Sequence, residues 1–165
     1  MQVVSGLTRL KRLTAHFSLT EFTDSQVADE YLIDNNVPPG LLPNLRRMAQ
    51  WLEAVRSCEL GGHPITIYSG YRTEALNRQV HGSKTSAHLK GLAADIVCPG
   101  FGTPLEVAIA LSEAPGLAYD QLIYEGRWVH IGLNENGKEP RQEVLTKLGV
   151  SYKRGLIRPV QPIEP

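Results

Sequence analysis

Apolar residues recur at Leu41, Leu45, Met48, Leu52 and Val55. Steps of four and three put them on one stripe of a helix packed on a core, and Gly61-Gly62 follows its end. Upstream, Ser18-Leu-Thr-Glu21 has the spacing of a capping box, which predicts a short helix starting there, and Pro38, Pro39 and Gly40 mark a turn. His63-Pro-Ile-Thr-Ile-Tyr68 is a short strand with β-branched residues, left through Ser69-Gly-Tyr-Arg72. Thr73 is placed to cap a helix carrying Leu76 and Val80. His81-Gly-Ser-Lys-Thr-Ser86 reads as loop, and Ala93-Ala-Asp-Ile-Val97 as a buried strand ended by Pro99-Gly100. Thr103-Pro-Leu-Glu106 joins a capping box to proline at the first helical position, and the helix is expected to run to about Ala114. Gln121–Glu125 and Trp128–Gly132 are two strands around Gly126-Arg127.

Helices and strands are mixed without regular βαβ alternation, so the expected class is α+β. The division expected is an N-terminal extension over 1–15, one domain over 16–150 and a C-terminal tail over 151–165, where Pro159, Pro162 and Pro165 suggest a loose end. A hydrophobic content of 42% is enough for an ordinary core. Seventeen basic and seventeen acidic residues cancel, which gives no support for a nucleic-acid partner. There is no apolar run of about 18 residues, so no membrane span is expected. Arg9, Lys11 and Arg12 interrupt any signal-peptide centre in the first residues, so the expected location is cytoplasmic, or outside by some route not encoded in these residues. Cys58 and Cys98, the only cysteines, are expected as reduced thiols rather than a disulfide. A monomer is expected.

Of five histidines, His16, His63 and His81 lie in polar, proline-turn or loop surroundings and are expected at the surface. His88 and Asp95 bracket His-Leu-Lys-Gly-Leu-Ala-Ala-Asp, whose small residues permit close backbone approach near a site. Asp95 sits inside an apolar strand, where a carboxylate is costly unless it pairs with a buried arginine or binds a metal. Cys98, three positions on, faces the opposite side of that strand. Alternation puts Trp128, His130 and Gly132 on one face and Val129, Ile131 and Leu133 on the other. The face with the histidine is the less aliphatic and is expected to border a cleft, although a lone histidine there is often structural.

Glycine at the first central position of a two-residue hairpin suits a type II′ turn. That register pairs Glu125 with Trp128, Tyr124 with Val129 and Ile123 with His130. Glu125 then lies diagonal to His130, about 7–8 Å away at Cα. A carboxylate there can take a proton from a water acidified by a divalent cation; equally, it can be a charge at an exposed hairpin end. Asp120 is the reserve for that role, with the opposite parity. Arg72 can bind a substrate carboxylate or a forming oxyanion, or be a surface arginine. Ser86 can donate a hydrogen bond to substrate or simply end a turn.

Ser69-Gly-Tyr-Arg72, Ser86-Ala-His88 with Gly91 and Ala94-Asp95, and Trp128-Val-His130 occur here in that order. Together they resemble the zinc D-Ala-D-Ala carboxypeptidase family, related to the vancomycin-resistance D,D-dipeptidases and to phage endolysin peptidases. Phe17-Ser-Leu-Thr-Glu-Phe22 and the helix from Asn44 to Arg56 resemble its short, single-domain branch. The resemblance covers about residues 16–150. It implies a hedgehog/D,D-peptidase-like fold, with a small antiparallel sheet flanked by helices. It implies Zn2+ held by His88, Asp95 and His130, and Arg72, Ser86 and Tyr71 as substrate contacts. Relatives carry an acidic residue three positions before the last histidine; here that position is Arg127, and the hairpin register assigns the base role to Glu125.

The activity so implied is hydrolysis of a peptide bond in peptidoglycan stem peptides, either trimming a terminal D-Ala or cutting between L-Ala and D-Glu. Two other readings stand beside it. The chain could be a peptidoglycan-binding or phage structural module that keeps the zinc, or a metal-free scaffold in which Asp95 pairs with Arg72.

Overall fold

A computed structural model describes residues 11–158 of the chain. The helices are α1 Leu19–Thr23, α2 Gln26–Glu30, α3 Leu42–Cys58, α4 Glu74–Gln79 and α5 Pro104–Glu113. The strands are β1 Thr66–Ser69, β2 Ala93–Val97, β3 Gln121–Tyr124, β4 Val129–Gly132, β5 Glu143–Leu148 and β6 Ser151–Arg154. All six strands join in one sheet in the order β1-β2-β4-β3-β5-β6.

Local signals set several boundaries. The amide of Ser18 donates to the Glu21 carboxylate at 2.7 Å, and the amide of Thr103 to Glu106 at 2.7 Å, closing both capping boxes. Thr73 caps α4 through Leu76. The β3–β4 hairpin has the expected register, Ile123 opposite His130 and Tyr124 opposite Val129, with Gly126 at φ +82° as the type II′ turn needs.

The sheet departs from the small antiparallel one expected. It has six strands, and β5 pairs with β3 in parallel. Ser151–Arg154, placed by the sequence in a tail, instead forms β6 and pairs with β5 across a tight reversal at Gly149, whose φ is +61°. The three prolines of that tail lie outside the described residues. At the other end, Leu19 donates to the Lys11 carbonyl and Leu13 packs against the core, so residues 11–15 are fastened to the domain.

One core lies on one face of the sheet. Leu45, Met48, Leu52 and Val55 of α3 join Val107, Ala108 and Leu111 of α5 in a single buried cluster. Ala94 and Ile96 of β2, Leu122 of β3, and Val129 and Ile131 of β4 complete it from the sheet. Alternation along a strand sends the residues between these to the opposite face. Cys98 is buried with the core and Cys58 is exposed; both are free thiols. Among the described residues no helix is long and apolar enough to cross a membrane.

Candidate metal centre and active site

The other face of the central strands borders a cavity of about 1180 Å³. Asp95, in the middle of β2, lies opposite Ser69 of β1 on one side and His130 of β4 on the other. His88 reaches them from a 3₁₀ turn over Ala87–Lys90, capped by the Ser86 hydroxyl, which accepts from the His88 amide at 3.3 Å. Gly91 ends that turn at φ +66°, and a Cβ there would meet Leu45 at 3.2 Å. Its glycine therefore answers to the turn and to α3 rather than to a close approach at the site.

Three donor atoms converge. His130 Nδ1 is 2.8 Å from Asp95 Oδ1, His88 Nε2 is 3.3 Å from the same oxygen, and the two ring nitrogens are 3.2 Å apart. His88 and Asp95 are buried, with 2% and 4% exposure. Burial pushes the His88 pKa below its ordinary value, with Asp95 opposing. Burial pushes the Asp95 carboxyl up, but His88 and His130 outweigh it and hold it well below the usual carboxylate range.

The protons on this cluster can be counted. His88 Nδ1 lies 2.5 Å from the Gly70 carbonyl, which can only accept, so the proton sits on Nδ1. A neutral His88 then turns the lone pair of Nε2 toward the lone pairs of Asp95 Oδ1. One proton on His130 Nδ1 can serve only one of those two neighbours. A cation at their centre satisfies all three. A tetrahedral site with bonds of about 2.0–2.1 Å separates its ligand atoms by roughly 3.3 Å; the two edges from His88 match that spacing, and the His130–Asp95 edge, at 2.8 Å, is shorter. The three residues could therefore hold a metal ion.

The second oxygen of Asp95 has its own partner. Arg72 donates from Nη2 to Oδ2 at 3.0 Å, from Nε to Ser69 Oγ at 3.0 Å, and from Nη1 to Asn77 Oδ1 at 3.5 Å. Asn77 is buried and also donates to the Ser83 carbonyl. The arginine considered as a partner for Asp95 and the metal ligands are thus combined, one carboxylate oxygen serving each.

A family model described as Peptidase M15 matches residues 15–132. The chain belongs to the Peptidase M15 family. No curated protein matches it. The matched segment of this Peptidase M15 member contains the three candidate ligands and Arg72, but stops before β5 and β6. Membership makes it a peptidase-family protein with peptides as the substrate class.

Around the centre, Glu125 lines the cavity on His130's side of the sheet and pairs with Lys147 of β5 at 2.9 Å. Tyr68 and Trp128 form an edge-to-face pair on the wall, ring centroids 6.3 Å apart. Ser86 also lines the cavity. Asp120 is engaged by Arg141, with Nη2 at 2.7 Å. Tyr71 is not brought to the site. Its ring is 5% exposed in the core, and its backbone is held by Phe22 and Asn35. Neighbours in an extended segment point to opposite sides, and Arg72 takes the side of the site. Asn77, bonded to Arg72, and Lys147, on the cavity wall, adjoin the candidate site and were missed by the sequence reading. Asn77 sits in a helix like any polar residue, and Lys147 lies in a strand that no local pattern announced. His16, His63 and His81 are exposed, as expected.

Proposed function

We propose that this Peptidase M15 protein is a zinc-dependent peptidase that hydrolyses peptide bonds in peptidoglycan stem peptides. The observation that carries the reading is the convergence of two imidazole nitrogens and one carboxylate oxygen on one point at the floor of an open cavity. Two histidines and one carboxylate suit zinc, and three protein ligands leave a position for water or substrate. When bound, the ion supplies a Lewis acid that polarises the scissile carbonyl and acidifies water.

The chain's own groups do the rest. Gly70 fixes the His88 tautomer, and Arg72 fixes the Asp95 carboxylate. Glu125 accepts the proton of the attacking water and returns it to the leaving amine. Arg72 has five N–H donors, of which three are in use, so the others can meet a substrate carboxylate or the forming oxyanion. Ser86, on the cavity wall, touches the substrate in this reading. One aspartate between two neutral histidines would leave a divalent ion with net charge +1, which suits an anionic intermediate. The architecture is read as hedgehog/D,D-peptidase type, with the peptidase domain over 16–150 extended by β6.

Arg127, at the position where relatives carry an acid, favours a second reading in which the protein binds peptidoglycan through a retained metal without cutting it. Digestion of purified peptidoglycan, with mass analysis of the fragments, separates the two. New peptide ends should be produced, lost with a chelator and restored by zinc. Metal-loaded protein that binds peptidoglycan and produces no new ends would establish the non-catalytic reading.

A further inference from the structure

The parallel pairing of β3 with β5 has a local result. Tyr124 lies opposite Thr146, so the next residues along, Glu125 and Lys147, come side by side. Lys147 Nζ sits 2.9 Å from Glu125 Oε2, and Tyr152 of β6 lies opposite Lys147 in turn. All three line the cavity. Lys147 belongs to a strand outside the segment that matches the family.

We propose that Lys147 is a positioning residue, holding the Glu125 carboxylate in place so that Oε1 is the oxygen presented to the attacking water. This rests on the reading of Glu125 as the proton acceptor. Glu125 stands one residue beyond the end of β3, next to the Gly126 turn, with its amide donating to the Trp128 carbonyl at 3.1 Å. Its side chain is only 12% exposed, and Lys147 is the cation the structure gives it. The lysine is 38% exposed, and an ion pair so open to water adds little to stability. Its effect is therefore sought in the placing of one oxygen. Glu125's hydrogen bond raises the pKa of Lys147, so the ammonium stays charged across the working range. The other cations on the cavity wall are engaged elsewhere among the described residues: Arg72 with Asp95, Arg141 with Asp120, and Lys90 and Lys138 with Glu135.

The test uses zinc-loaded full chain and muropeptides from purified peptidoglycan as substrate. Lys147→Met and Lys147→Gln are each expected to lower kcat about 10- to 100-fold, the scale of a small misplacement of a catalytic group. KM should stay within about 2-fold and zinc content should be unchanged, because the lysine touches neither substrate nor ligands in this reading. Lys147→Arg should recover most of kcat, since a guanidinium can make the same contact. Unchanged kcat in both neutral variants overturns the proposal. So does a rise in KM with kcat kept, which would make Lys147 a substrate contact, and so does failure of Lys147→Arg to recover activity. Glu125→Gln measured alongside separates the two levels. If Glu125→Gln retains full turnover, the proton-acceptor reading falls, and the proposal with it. If Glu125→Gln is inactive and the lysine variants are unimpaired, only the proposal falls.

Discussion

Glu125 and Asp95 are both carboxylates on the same face of one sheet, yet their surroundings divide their work. Asp95 is enclosed by two imidazoles and a guanidinium, with no side open for proton traffic. Glu125 has one cationic neighbour and faces the cavity. Replacing Glu125 by Gln keeps size and polarity but removes the basic oxygen. Turnover is expected to fall about 10²- to 10⁴-fold, the usual contribution of a general base. Zinc content by mass spectrometry should remain that of the parent, and unimpaired turnover would reject the role. At this scale the candidate ligands could be singled out in the sequence because an aspartate inside an apolar strand needs an explanation, and because parity placed Glu125 and His130 together. Tyr71 was misread because a motif does not say which way each member faces. Arg72 was legible as a site cation, but its hold on Asp95 and Ser69 depends on β1 lying beside β2, which no local pattern states.

Among the elements, β1 and α1 meet most tightly at Gly70. A Cβ on Gly70 would lie 2.6 Å from the Phe22 carbonyl oxygen and 2.7 Å from its Cα. These are backbone atoms, so no side-chain rotation relieves the clash. Gly70→Ala should cost about 1–3 kcal/mol, as overpacking does, and lower the melting temperature by roughly 2–10 °C on the scale of a chain this long. Because the Gly70 carbonyl orients His88, zinc affinity by competition with a chelating dye should also fall, by about 10- to 100-fold. A lower melting temperature with unaltered affinity would show that Gly70 answers to packing alone. The helices and the β3–β4 hairpin were readable because caps, stripes and turns are short-range signals. β5 and β6 were not. Glu143–Leu148 carries no clean alternation, β6 is exposed along its length, and the β3–β5 pairing joins residues more than twenty positions apart.

For the molecule as a whole, charge closes the joints between layers and loops. The Asp120 carboxylate, just ahead of β3, binds the Arg141 guanidinium at 2.7 Å and also accepts from its amide. These bonds, the guanidinium's foremost, hold the carboxyl below its ordinary pKa. The folded state then binds fewer protons than the unfolded chain, whose aspartates titrate near about 3.9. The pair's stabilisation is therefore present above that value and fades as pH falls through the folded pKa. Arg141 is largely exposed, so the gain is modest, up to about 1 kcal/mol. Asp120→Asn should melt about 2–4 °C below the parent at pH 7, with the gap narrowing once pH falls below the ordinary aspartate value of about 3.9. A gap of constant size across that range would mean the contact is not electrostatic. The α+β class and the single core were visible from composition and periodicity. The sheet's full width was not, because the chain leaves the hairpin and returns on the far side of β3.

Two strands, β2 and β4, carry the candidate metal ligands Asp95 and His130 on one surface and structural filling on the other, alternating residue by residue. Inserting or deleting a single position within either would exchange the two surfaces from that point on, turning Asp95 or His130 into the oily interior and an aliphatic side chain out into the groove. Length variation among descendants of this chain is thereby confined to its connections, such as 133–142 between β4 and β5, while the interiors of these strands are restricted to one-for-one exchange.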